Sequence, residues 1–265
     1  MAAVDQIRLK LKRADRHIQE LEAALLAFRR NNPYKVDTKE DEQTRSLVYY
    51  ITQAEEIPAA ISLVAGDTLQ NLRTALDHLA WQLTPASSRN SQTAFPISDD
   101  ATKYSLEKGR KIKGIPKAAI DAIDATKPYK GGNDRLWQLH KLNNIDKHRL
   151  LVTVGASFRS VNVAPHVIGM MLKAGVAMHL GLKPEAALQM PDIHLRPDDN
   201  LFPLKVGSEL FIDAPGAEPN PKITFQIDVV FGEPGVCEGE PVLETLKNMS
   251  SLVGGIVSDF TPLLS

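Results

Sequence analysis

Residues 134–164, DRLWQLHKLNNIDKHRLLVTVGASFRSVNVA, contain the change of period on which the fold turns. Up to Arg149 the apolar residues recur at helical spacing, behind the breaker Gly131-Gly132 and a cap at Asn133 or Asp134. From Leu150 the repeat is two, as LLVTVGA and then FRSVNVA alternate like strands. DIHLRP, SELFID and KITFQIDVVF continue that pattern between Pro, Gly, Asn and Asp turns. Helices therefore precede a β region.

Working towards the N-terminus, residues 59–83 read as a long helix opened by Pro58 and closed by Pro85. Its apolar stripe is Leu69, Leu72, Leu76, Leu79 and Leu83. Residues 34–54 read as a hairpin whose acidic KEDE makes the turn and whose second arm holds Val48, Tyr49, Tyr50 and Ile51. Ile7, Leu11, Ala14, Ile18, Leu21, Leu25 and Phe28 form a heptad seam on a first helix that Asn31-Asn32-Pro33 ends. Between residues 89 and 130 the pattern predicts a short FPI strand and small helices, one beginning at Pro116. Towards the C-terminus, Val242, Leu246, Met249, Val253, Ile256 and Phe260 make one more helical stripe. The fold class expected is α+β: a bundle of the N- and C-terminal helices with a small antiparallel sheet inserted. Its parts are a mainly helical 1–150 with the hairpin, a β region over 151–240, and a helix over 241–265 that packs back on the bundle.

The 265 residues are 43% hydrophobic and 24% charged, which is a globular composition. The 31 basic and 32 acidic residues leave a net charge of -1, so nucleic acid could be held only by a local patch. One cysteine, Cys237, excludes an internal disulfide. The start MAAVDQIRLK has no apolar core, and the longest apolar stretch, VIGMMLKAGVAM, is short and broken by Lys173. These features predict no leader, no membrane span and a cytoplasmic location.

Two helical faces carry groups that could do chemistry. On residues 59–83, Asp67, Asn71 and His78 fall within about 40° of one another opposite the leucines, with Arg73 and Asp77 an i,i+4 pair on the flank. The face holds no Lys or Glu, which usually dominate a solvated one. On residues 134–149, Arg135, His140, Asn143 and Asn144 lead into Asp146, Lys147, His148 and Arg149. Asp146 could orient His148 or pair with Arg149. As structure alone, these groups are a polar face with one ion pair and a helix C-terminus whose cations meet the dipole. His17 reads as solvated; Trp81, Trp137 and Phe158 read as core or core-edge aromatics.

The strings GDTLQNLRTALDHLAWQL, AFPI, KIKGI, KPY and LHKLNNIDKHRLL resemble a widespread bacterial group of uncharacterised proteins, over about residues 5 to 155. Arg73-Thr-Ala-Leu-Asp-His78 also resembles the Arg-x(4–6)-His motif of the HEPN ribonucleases, which are helical and commonly dimeric. That group usually has Asn, Asp or His after the Arg, where this chain has Thr74. The resemblance implies metal-independent RNA cleavage in a defence or toxin setting, by Arg73, His78 and His148 in a homodimer. His78 would take the 2′-hydroxyl proton and Arg73 would steady the phosphate charge. Asp67, Asn71, Asp77, His140, Asp146, Lys147 and Arg149 would support the site or hold RNA, with no cofactor. Two alternatives stand beside it. One is a non-enzymatic binding or scaffold protein in which these groups pair with one another. The other is a metal-dependent hydrolase built from His78, Asp77, His140, Asp146 and His148. Cleavage requires Arg73 and His78 exposed in one cleft, a metal site requires convergent His and Asp atoms, and a scaffold requires paired groups.

Overall fold

The computed structural model describes residues 3–149, 154–163, 194–195 and 202–264. It is α+β, with six α-helices among the described residues and two three-stranded sheets. Helices α1 (Ala3–Arg30), α2 (Ala59–Leu83), α3 (Ala101–Lys111), α4 (Lys117–Ala125), α5 (Asp134–Arg149) and α6 (Val242–Phe260) alternate with strands β1 (Tyr34–Glu40), β2 (Ser46–Ala54), β3 (Val154–Asn162), β4 (His194–Leu195), β5 (Glu209–Pro215) and β6 (Thr224–Phe231). The expected VIGMMLKAGVAM stretch lies outside the described residues.

The chain divides into two compact units. The first comprises residues 1–27, 58–154 and 231–265. In it α2 packs against α5 and α6. Leu69, Leu72, Leu76 and Leu79 are fully buried, each contributing about 1.5–3 kcal/mol by leaving water. The α1 seam is buried at Ile7, Ala14, Ile18, Leu21 and Leu25, and α6 buries Val242, Leu246, Met249, Val253 and Phe260. Lys247 and Ser250 on α6 reach Glu22 and Asp15 on α1, so the last helix does return to the first. Asn133, not Asp134, caps α5, its Oδ1 accepting from Leu136 N at 3.1 Å. Asp134 instead accepts from Gly131 N.

The second unit comprises residues 28–57 and 155–230. The hairpin over 34–54 forms as expected but groups with the later strands rather than with the helices of 1–150. β2 pairs antiparallel with β1 and with β5, and β3 lies between β4 and β6. Leu47, Tyr49 and Ile51 share a core with Ala156, Phe158, Val161 and Leu210. That shared core is why the hairpin leaves the helices.

Four local expectations are corrected. Val154–Ala156 of LLVTVGA and the residues to Asn162 run on as one strand, β3, with no turn between them; residues 150–153 lie outside the described residues. FPI is not a strand: only Ser98 bridges, to Tyr129, and the buried Phe95 and Ile97 turn their carbonyls to side chains. His17 is 4% exposed, with Nδ1 3.0 Å from Glu20, because it lies beside Ile18 on the seam. Trp81 is 39% exposed, with the Arg89 guanidinium over its ring and Arg89 Nε donating to the α2 C-terminal carbonyls.

Candidate functional site

The site residues expected on α2 and α5 all belong to the helical unit. The register between the two helices follows from Gly66, which meets the Asp146 carboxylate. Seven residues along α2 and seven back along α5, Arg73 comes opposite the stretch around Leu139 and His140.

Arg73 is buried, at 5% exposure. Its Nη2 donates to Phe95 O at 2.7 Å and to Asp77 Oδ1 at 2.8 Å. Asp77 Oδ1 also accepts from Phe95 N at 3.0 Å. Arg73 and Asp77 thus hold both polar backbone groups of Phe95, whose side chain is fully buried. This is why the FPI segment needs no strand partner at that residue. Arg73 Nη1 is buried without a partner among the described residues, and burial lowers the guanidinium pKa.

His140 stands on the α5 side. Its Nε2 accepts from Asn144 Nδ2 at 3.2 Å, which puts the ring proton on Nδ1, and Nδ1 is buried with no partner among the described residues. Burial, then the charges of Arg73, Lys111 and Lys141, push His140 down to about 3. Lys111 Nζ donates to Ile97 O at 3.3 Å, and burial followed by Arg73 lowers its pKa. Lys141 pairs with Asp99 at 2.5 Å, and Asp99 Oδ1 also accepts from Trp137 Nε1 at 3.2 Å. The bond from Lys141 leads in holding Asp99 down at about 2. Arg135 meets Glu240 and Gln138 donates to Glu240 and Val236 O, so these α5 groups tie the loop before α6. Asn143, next on the inner face, is 1% exposed with its Oδ1 unpartnered among the described residues.

The remaining expected residues are not brought to this cluster. Asp67 is exposed, Asn71 is half-buried and donates to Asp67 O at 2.8 Å, and His78 is half-buried with no hydrogen bond among the described residues. His78 follows Arg73 by five residues, a turn of about 140° on a helix, so the two leave α2 in different directions. Asp146 is half-buried against Gly66, and burial followed by Asp67 raises its pKa. It makes no bond to His148, which is exposed with Lys147. The side chain of Arg149 lies outside the described residues. Among the described residues no group of three or more His, Cys, Asp or Glu is placed to hold a metal ion. No described helix is long and apolar enough to cross a membrane. Cys237 is buried, and its thiol is pushed up to about 12 by that burial.

Sequence reasoning did not find a cavity of about 800 Å³ in the second unit. Arg29, Arg159 and Asp228 meet in its lining, the aspartate giving one oxygen to each arginine at 2.8 Å. Arg29 and Asp228 are separated by 199 positions in the chain, so no local spacing could have announced the pair. The alternation of KITFQIDVVF was the one usable signal, because it sets Gln226 and Asp228 on the opposite face from Phe225 and Ile227. No family model, curated protein or solved structure matches this chain.

Proposed function

We propose that this protein is a non-enzymatic binding protein whose helical unit is shaped by the polar residues of α2 and α5. One observation carries this reading: Arg73 is 5% exposed and gives its donors to Phe95 O and Asp77. An arginine that steadies a scissile phosphate must present its fork to that phosphate. Here the fork faces the protein interior, while His78 leaves the helix about 140° away. Arg73 paired with Asp77, and Lys141 with Asp99, is the arrangement expected of groups that specify helix packing.

The test is an RNA-cleavage assay on the purified protein, with and without EDTA, beside His78→Ala. The expected result is no cleavage in any arm. Cleavage that survives EDTA and disappears in His78→Ala would replace this reading with the metal-independent ribonuclease that the HEPN resemblance implies. Cleavage abolished by EDTA would replace it with the metal-dependent hydrolase.

A further inference from the structure

We propose that the exposed face of α1 between Arg8 and Arg16 is a docking surface for the phosphate backbone of a nucleic-acid duplex. The proposal names a partner class for the binding reading above and rests on it. At 100° per residue, Arg8, Lys12 and Arg16 fall within about 80° of one another, each about 6 Å along the helix from the last. Arg13 flanks them. All four are exposed, and none makes an ion pair or hydrogen bond among the described residues. Residues 8 to 16 carry five cations, Lys10 included, against one carboxylate, Asp15, in a chain whose net charge is -1. Asp15 accepts from Ser250 Oγ on α6 at 2.8 Å, which holds it to the flank. Asp5 and Glu20 stand beyond the two ends of the stripe, each with a partner of its own.

The stripe offers charge and little else. The apolar seam of α1 is spent on the core at Ile7, Ala14 and Ile18, and Leu9 is the one large apolar side chain exposed between residues 8 and 16. A helix that lies in a bilayer needs an uncovered apolar face, which this stretch lacks. Single strands are held by bases stacking on aromatic side chains, and residues 8–16 contain none. What remains is a straight row of three guanidinium forks and one ammonium, and that chemistry fits the phosphate oxygens of a duplex. Binding of this kind draws on the release of counterions and carries no sequence information.

Fluorescence anisotropy of a labelled DNA duplex, titrated with the full chain over a series of salt concentrations, tests this. Phosphate contacts from these four side chains should give a slope of log K against log salt of about -3.6. Arg8→Gln with Arg16→Gln should weaken binding about tenfold and flatten the slope by about 2, with a thermal melt showing a folded protein. Lys205→Gln with Lys222→Gln removes the same charge from exposed positions of the second unit and should change binding less than about twofold. No binding of the duplex at low salt, an unchanged slope in the folded Arg8 and Arg16 double variant, or an equal loss in the Lys205 and Lys222 control would overturn the proposal. So would capture by phosphatidylserine vesicles with no binding of the duplex. Duplex DNA lacks the 2′-hydroxyl that the cleavage assay above depends on. RNA cleavage would therefore defeat the non-enzymatic reading and leave this titration unchanged, so the two failures are distinguishable.

Discussion

The carboxylate of Asp146 lies against the backbone of Gly66: a Cβ on Gly66 would stand 2.3 Å from Asp146 Oδ1 and 2.7 Å from its Cγ. The glycine is what lets α2 and α5 close on each other at this point. Alanine is worth about 1 kcal/mol over glycine inside a helix. Gly66→Ala should nevertheless fail to stabilise the protein, because Asp146 must swing away. In an Asp146→Ala background the same substitution should stabilise by about 1 kcal/mol. A double-mutant cycle by urea denaturation checks this, and additive effects would show that the two residues do not constrain each other.

The same contact makes a pH prediction. Burial and the neighbouring Asp67 raise the Asp146 pKa above its ordinary value. Between the ordinary and the raised value the folded state binds a proton that the unfolded state has released. Stability contributed at this site therefore falls as pH rises through that window. Asp146→Asn should be more stable than wild type at neutral pH, and the difference should vanish in acid. A constant difference across the acid range would contradict the assignment.

Much of the fold was legible because burial imposes periodicity. The leucines of α2 and the stripe of α6 lie where helical spacing puts them, and the hairpin turn forms at Asp41, whose Oδ1 accepts from Thr44 N at 2.8 Å. What was not legible depended on contacts far apart in the chain. The hairpin sits with the later strands because Tyr49 and Phe158 share a core, and spacing within 34–54 says nothing of that. The same limit applies to the site. Arg73 and Asp77 could be paired from their i,i+4 spacing, but only Phe95 O shows that the arginine faces inward. The Arg29–Asp228–Arg159 junction was invisible for the same reason.

Arg73 and Asp77 should differ in what their loss costs. Arg73→Met removes a buried cation and leaves Asp77 holding Phe95 N, so it should cost about 2 kcal/mol. Asp77→Ala leaves the buried guanidinium with Phe95 O as its remaining acceptor, so it should cost more, about 3–5 kcal/mol. Chemical denaturation of both variants gives the order. Equal small losses, as for a surface pair, would show that Arg73 is not buried in solution.

His140 sets the acid side of stability. Its Nδ1 has no partner among the described residues, and charging the ring would add a further cation beside Arg73, Lys111 and Lys141, against the Asp99 carboxylate. Burial and these charges hold it at about 3, whereas an unfolded histidine titrates near 6.5. Between those values the unfolded state takes up a proton that the folded state does not. Stability from this site is therefore complete above about 6.5 and is lost as pH falls towards about 3. His140→Gln should flatten the fall in stability over that range. In the wild type, the His140 ring resonances should not move between about pH 8 and pH 5, the span in which a solvated imidazole titrates. An inflection near the ordinary value would place the ring in water and dissolve the charge cluster that explains it.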